Sequence, residues 1–126
     1  MAEEPLQRNA ADADQGRRAE RLARRREKRR REAYAAVLTT TTGRIVFLDL
    51  LESAGLYDSG FSESALLMAA RIGAREKGLE LLALLTGVDE AAVELMYREG
   101  RDRRRNDAKE NAAGHTAAAT EDETTS

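Results

Sequence analysis

Ten of the sixteen residues from Arg17 to Glu32 are Arg or Lys, a density of cation whose chemistry is the neutralisation of phosphates or carboxylates. Spread along a helix, Arg17, Arg18, Arg21, Arg24, Arg25, Arg26, Lys28, Arg29, Arg30 and Arg31 would displace counterions from a nucleic acid and bind it with a strong salt dependence. The stretch has no interleaved aromatics and no Asn/Gln pattern for reading base edges, so such binding would be non-specific. The alternative partner is an acidic protein surface, including the acidic body of a neighbouring copy. A solvated charged helix is the third reading.

Other chemistry has little to build with. The single histidine, His115, follows Gly114 in an Ala/Thr-rich tail, far in sequence from any organised carboxylate, so neither a triad nor a histidine metal site is expected. Glu76 with Glu80 and Glu90 with Glu94 would share helix faces, but no His or Asp completes a ligand set. Gly73, Gly78 and Gly87 lack the strand and lysine-hydroxyl context of a phosphate loop. There is no cysteine, hence no disulfide framework, no thiolate zinc site and no cysteine nucleophile. We therefore expect no cofactor, no metal and no catalysis, but a binding or assembly protein.

The elements that must position the basic stretch follow from how apolar residues and charge are distributed. The net charge of −2 conceals blocks of −3 for residues 1–16, +7 for 17–32, −5 for 33–97 and −1 for 98–126. Nearly every large apolar residue lies in about 55 residues, from Gly43 to Tyr97, close to the smallest core that folds unaided. That body is expected to be completed by partners, as a homo-oligomer or with other proteins. No apolar run approaches the roughly 18 residues of a membrane span. The first sixteen residues lack the basic start and apolar stretch of an export signal, so no membrane partner and a cytoplasmic location are expected.

The periodicity predicts an all-α fold: a small antiparallel helical hairpin or bundle, with a long basic N-terminal helix and disordered termini. Four zones result: an acidic disordered segment 1–16, a basic helical arm with a Thr-rich hinge 17–42, a helical body 43–100, and a tail 101–126 that is basic, then Ala/Thr/Glu-rich and disordered. The arm has strong helix formers with Glu20–Arg24 and Glu27–Arg31 at i,i+4 spacing, but only Leu22 interrupts its polar surface before Tyr34, Val37 and Leu38. The Thr39–Gly43 stretch reads as the hinge between arm and body.

Within the body, a second helix over 44–54 is expected to bury most of its circumference, using Ile45, Phe47, Leu48, Leu50 and Leu51, with Gly55 in the left-handed region beyond its end. Leu56, Tyr57 and Phe61 fold back from the turn that follows. Ser62 caps a third helix running to about Leu85, whose inner stripe is Leu67, Ala70, Ala74, Leu81 and Leu85, with Leu66, Ile72, Leu82 and Leu84 alongside. Gly73 and Gly78 mark close packing rather than a break. Asp89 caps a last helix, with Val88 and Val93 as a hydrophobic staple, and its basic tract after Tyr97 is expected to fray. Phe47, Leu51, Leu56, Tyr57, Phe61, Leu81 and Leu82 are the candidate core and association residues.

The segment GRIVFLDLLESAGLYDSGF, followed by AARIGAREKGLELLALL, resembles a short domain of tailed-bacteriophage proteins encoded in the head and head-to-tail structural gene cluster of short-tailed phages. The shared elements are Gly43-Arg44, Leu50-Leu51-Glu52, Ala54-Gly55-Leu56-Tyr57, Ser59 with Phe61, and Arg75 with Gly78-Leu79 and Leu81-Leu82, covering roughly residues 43 to 85. Where a Glu-Gly pair commonly precedes the shared arginine, Ile72-Gly73 stands here. The resemblance brings no catalytic residues. It implies a virion-associated or assembly role in several copies; with the basic arm, this makes the expected function that of a phage structural or virion-morphogenesis protein, present in the host cytoplasm during assembly, whose body meets capsid, portal or sister copies and whose arm contacts DNA or an acidic protein. The alternatives are a non-specific nucleic-acid-binding accessory or regulator and a transient scaffolding protein.

Overall fold

The computed structural model describes the backbone of residues 4–57 and 62–124 and the side chains of residues 8–57 and 62–116. These residues form four helices and no strand: α1 (Glu4–Leu38), α2 (Thr41–Ser53), α3 (Ala65–Val88) and α4 (Glu90–Thr124). The fold is all-α, a small helical bundle with a long basic N-terminal helix. One core joins all four helices. Leu38 from α1, Phe47, Leu48 and Leu51 from α2, Leu56 from the following turn, Leu85 from α3, and Ala92, Val93 and Met96 from α4 are buried together. Tyr34, Leu81, Leu82, Val88 and Tyr97 pack around them. The end of α1 is thus part of the body, where arm and hinge were expected to run to residue 42, because Tyr34 and Leu38 are apolar residues one turn apart on one face and both reach the core.

The Thr-rich hinge is a tight corner. Thr40 caps α2, its hydroxyl accepting a 2.9 Å hydrogen bond from the Gly43 amide and donating to the Val37 carbonyl at 3.0 Å. Successive bonds from Thr39 N to Ala35 O and from Thr40 N to Val37 O close the end of α1, and the two helices meet at 107°. Gly43 presses against the Val37 carbonyl so closely that a side chain there would overlap it. Short polar side chains that compete for backbone partners make caps as readily as flexible linkers, and here tertiary packing selects the cap.

Other expectations shift with the packing. Gly55 takes φ 74° after α2, as its place in the sequence predicted. Gly78 lies under the end of α2, where an added Cβ would come within 2.8 Å of the Ala54 Cβ, so it marks close packing, whereas Gly73 has nothing within 4 Å. The cap of α3 is Ser64, which accepts from the Leu67 amide, while Ser62 accepts from the Ser64 amide one step earlier. α3 continues past Leu85 to Val88, and Asp89 alone separates it from α4, its carboxylate accepting from the Ala92 amide at 3.0 Å. The basic tract after Tyr97 does not fray: Arg104 bridges to Glu52 of α2 at 2.8 Å. Residues 4–16 and 107–124, read from composition as unstructured, continue α1 and α4. Their described side chains are all exposed. No apolar face holds them to the body, and extending an existing helix needs no new nucleus.

Two apolar faces expected to turn inward do not. On α2, Ile45 and Leu50 are exposed, because only the face bearing Phe47, Leu48 and Leu51 meets the other helices. On α3, Leu66, Leu67, Ala70, Ile72 and Ala74 are exposed. The body is shorter than α3, so this helix reaches the core through its second half alone.

Candidate functional site

The arm is the projecting part of α1. Every described side chain from Arg8 to Ala33 is exposed, and helical geometry sorts the cations into rows. Arg17, Arg21, Arg24, Lys28 and Arg31 recur at alternating spacings of four and three, forming one stripe about 21 Å long. Arg18, Arg25 and Arg29 form a second row beside it. The acidic partners on the arm are local and solvent-exposed: Asp14 pairs with Arg17 at 2.6 Å, Glu27 with Arg30 at 3.8 Å and Glu32 with Lys28 at 3.9 Å. Such pairs contribute about 0–1 kcal/mol and exchange readily for a polyanion.

The last two cations of the series do different work. The Arg30 guanidinium lies 5.6 Å from the centre of the Tyr34 ring, and Tyr34 in turn stacks on Phe47 with ring centres 5.6 Å apart. Arg31, whose expected partner was Glu27, instead donates a 2.8 Å hydrogen bond to the Gly87 carbonyl at the end of α3. A helix C-terminus offers unpaired carbonyls and the negative end of the dipole, which favours a cation. Arg31 therefore ties the base of the arm to the body, while Arg30 covers the Tyr34 ring from within α1.

Where α1, α2 and α4 converge, Arg44 is buried. Its Nε donates to Glu99 at 2.8 Å, one terminal nitrogen donates to the Leu38 carbonyl at 2.8 Å, and the other reaches the Thr41 hydroxyl at 3.2 Å. The charge is neutralised by Glu99, which also sits 3.9 Å from Arg103, and the planar fork satisfies the open end of α1. Across the bundle, the Tyr57 hydroxyl donates to that of Tyr97 at 2.7 Å. Partial burial of the ring raises the Tyr97 pKa above its usual 10.0. Among the described residues no group of three His, Cys, Asp or Glu side chains is placed to hold a metal ion, and no single helix is long and apolar enough to cross a membrane.

The sequence matches the family of Bbp19-like phage proteins over residues 34–96, half of the chain. The chain belongs to the Bbp19-like phage protein family. A phage-related protein is thereby identified, and the Bbp19-like region coincides with the packed body, from the aromatic stack at Tyr34 to the buried Met96. No curated protein and no solved structure matches the sequence. The arm from Arg17 to Ala33 lies outside the Bbp19-like match, so its part in the function rests on its own chemistry.

Within the Bbp19-like body, Phe47, Leu51 and Leu56 are core, and Leu81 and Leu82 are half-buried against it. Tyr57 is exposed beside Tyr97. Phe61 lies outside the described residues. Arg44 and Gly43 join α1 to α2, Gly55 and Gly78 form and receive the turn after α2, and Arg75 reaches the Leu56 carbonyl at 3.5 Å, a long contact. The Arg44–Glu99 pair was not foreseen. A lone arginine inside the apolar run of α2 was the available signal, but its partner 55 residues away was not readable.

Proposed function

We propose that this Bbp19-like chain is a non-enzymatic structural or virion-morphogenesis protein, whose helical body joins other components of the particle while its basic arm contacts DNA or an acidic protein surface. The observation that carries this reading is the cation stripe: Arg17, Arg21, Arg24 and Lys28 stand exposed on a helix held at one end by Arg31, Tyr34 and Leu38. An anchored helix presents its charges in a fixed row, and association with a polyanion is then driven by counterion release with little ordering cost. Capsid, portal and sister copies are the protein partners this reading names. The family membership supports a phage role.

Two measurements test the proposal. Mass spectrometry of purified, DNA-filled particles from the phage or prophage that encodes the chain should detect it at a reproducible copy number relative to the major shell protein. Its absence from filled particles would overturn incorporation and favour a transient scaffold or a cytoplasmic nucleic-acid accessory. For the arm, Arg21→Glu, Arg24→Glu and Lys28→Glu together should lower duplex-DNA affinity uniformly across sequences and reduce the salt slope by about 3. An unchanged slope would remove DNA from the mechanism and leave an acidic protein as the arm's partner.

A further inference from the structure

Besides the arm, the chain carries a second set of outward cations, on α4. Arg98, Arg101, Arg105 and Lys109 are exposed, and at 100° per residue they fall within about 80° of one another, on the side of the helix opposite the buried Met96 and Gly100. The other charges of this tract turn inward. Glu99 meets the buried Arg44, Arg103 sits beside Glu99, and Arg104 reaches Glu52 of α2, while Gly100 packs against Leu48, so α4 is held to the body just where the outward row begins. On the outward face Asp102 pairs with Arg105, and Glu94 lies at the end nearest the body. Arg98, Arg101 and Lys109 make no ion pair or hydrogen bond among the described residues. Cations fixed on an anchored helix and lacking a protein counterion are placed to exchange solvent ions for a polyanion.

We infer that this face of α4 is a second surface for the phosphate backbone of duplex DNA, so that, with the arm, one chain holds two duplex segments. The row runs about 16 Å from Arg98 to Lys109, and between them the only apolar side chain is that of Ala108. A protein interface is built around an apolar centre depleted of charge, whereas a phosphate backbone asks only for cations. Placement favours two segments over one. Arg31 meets the Gly87 carbonyl just before α4 begins, and Leu38 is joined through Arg44 to Glu99, well into α4. The two helices therefore pass the body in the same sense: the arm leaves it near the start of α4, and the cation row leaves it at the far end. The acidic body, −5 over residues 33–97, lies between them and repels a single duplex laid across both. The bridging rests on the proposal that the arm contacts DNA, while binding by α4 does not.

Arg98→Gln, Arg101→Gln and Lys109→Gln together test the face in the full-length chain, with helicity by circular dichroism unchanged because glutamine is a good helix former. On a short duplex, the slope of log Kd against log salt should fall by about 3 relative to the wild type, and by a similar amount again when Arg21→Glu, Arg24→Glu and Lys28→Glu are added. With one duplex immobilised and a second, labelled duplex in solution, the wild type should capture the label and the α4 triple variant should not. An unchanged slope in the α4 variant overturns the inference and leaves this face to an acidic protein. A wild type that binds duplex but captures no second one overturns it as well. So does capture that survives the α4 substitutions, since bridging would then come from the arms of associated copies. If the arm substitutions leave the slope unchanged while those on α4 lower it, the arm's contact with DNA fails and the α4 surface stands without it.

Discussion

Residues 17–29 and residues 30–38 belong to one helix, yet they stand for two different ways of keeping a helix. In the second stretch Tyr34 stacks on Phe47, Leu38 is fully buried, and Arg31 holds the end of α3. In the first, every side chain meets solvent, and the helix rests on propensity, local ion pairs and continuity with its anchored end. The body spends its residues on mutual burial, which makes it intolerant of change and unable to reach outward. The arm does the reverse, and its surface stays available to a partner. Because the boundary falls inside a continuous helix, the arm's direction is set by the packing of the body, with no loop between them.

The sharpest test of that contrast is a pair of leucines. Leu51→Ala, at a site with no exposure, should lower the unfolding free energy by about 3 kcal/mol in urea titrations, whereas Leu22→Ala on the arm should change it by less than about 0.5 kcal/mol. Equal losses would mean that the arm is packed in solution. Next in size is Arg44. Arg44→Met should cost about 2 kcal/mol by leaving Glu99 and the Leu38 carbonyl short of a partner, and adding Glu99→Leu should recover part of the loss. A double mutant whose cost is the simple sum of the two would show that the pair is not coupled. The smallest effect separates two glycines. Gly78→Ala should destabilise the body by about 1 kcal/mol or more, because the new methyl group meets the Ala54 Cβ, while Gly16→Ala, with nothing within 4 Å, should raise arm helicity by circular dichroism and stabilise it by about 0.5–1 kcal/mol. The same sign at both positions would dissolve the distinction between packed and free helix.

Much of this division is legible without coordinates. The charge blocks separate arm from body, the Asp89 cap with its Val88–Val93 staple locates the α3–α4 turn, and Gly55 in the left-handed region ends α2, because caps, glycines and periodicity act through neighbours a few residues away. The Thr39–Gly43 corner was legible as a break but not as a rigid one, since the same threonines serve a loop or a cap until Gly43 packs against Val37. The inner face of α3 was misplaced because periodicity gives the direction of a stripe along a helix but not how far the rest of the molecule extends beneath it.

What the sequence by itself determined is the all-helical class, the cation density of the arm and the absence of cysteine, all properties of composition and of spacings within one helix. Only the tertiary structure decided that Arg31 turns from Glu27 to the Gly87 carbonyl, that Arg44 finds Glu99, and that Leu66 stands in solvent while Leu85 is buried. Each of those depends on which helices approach one another across tens of residues, and local preference carries no information about a partner that only the packed chain brings near.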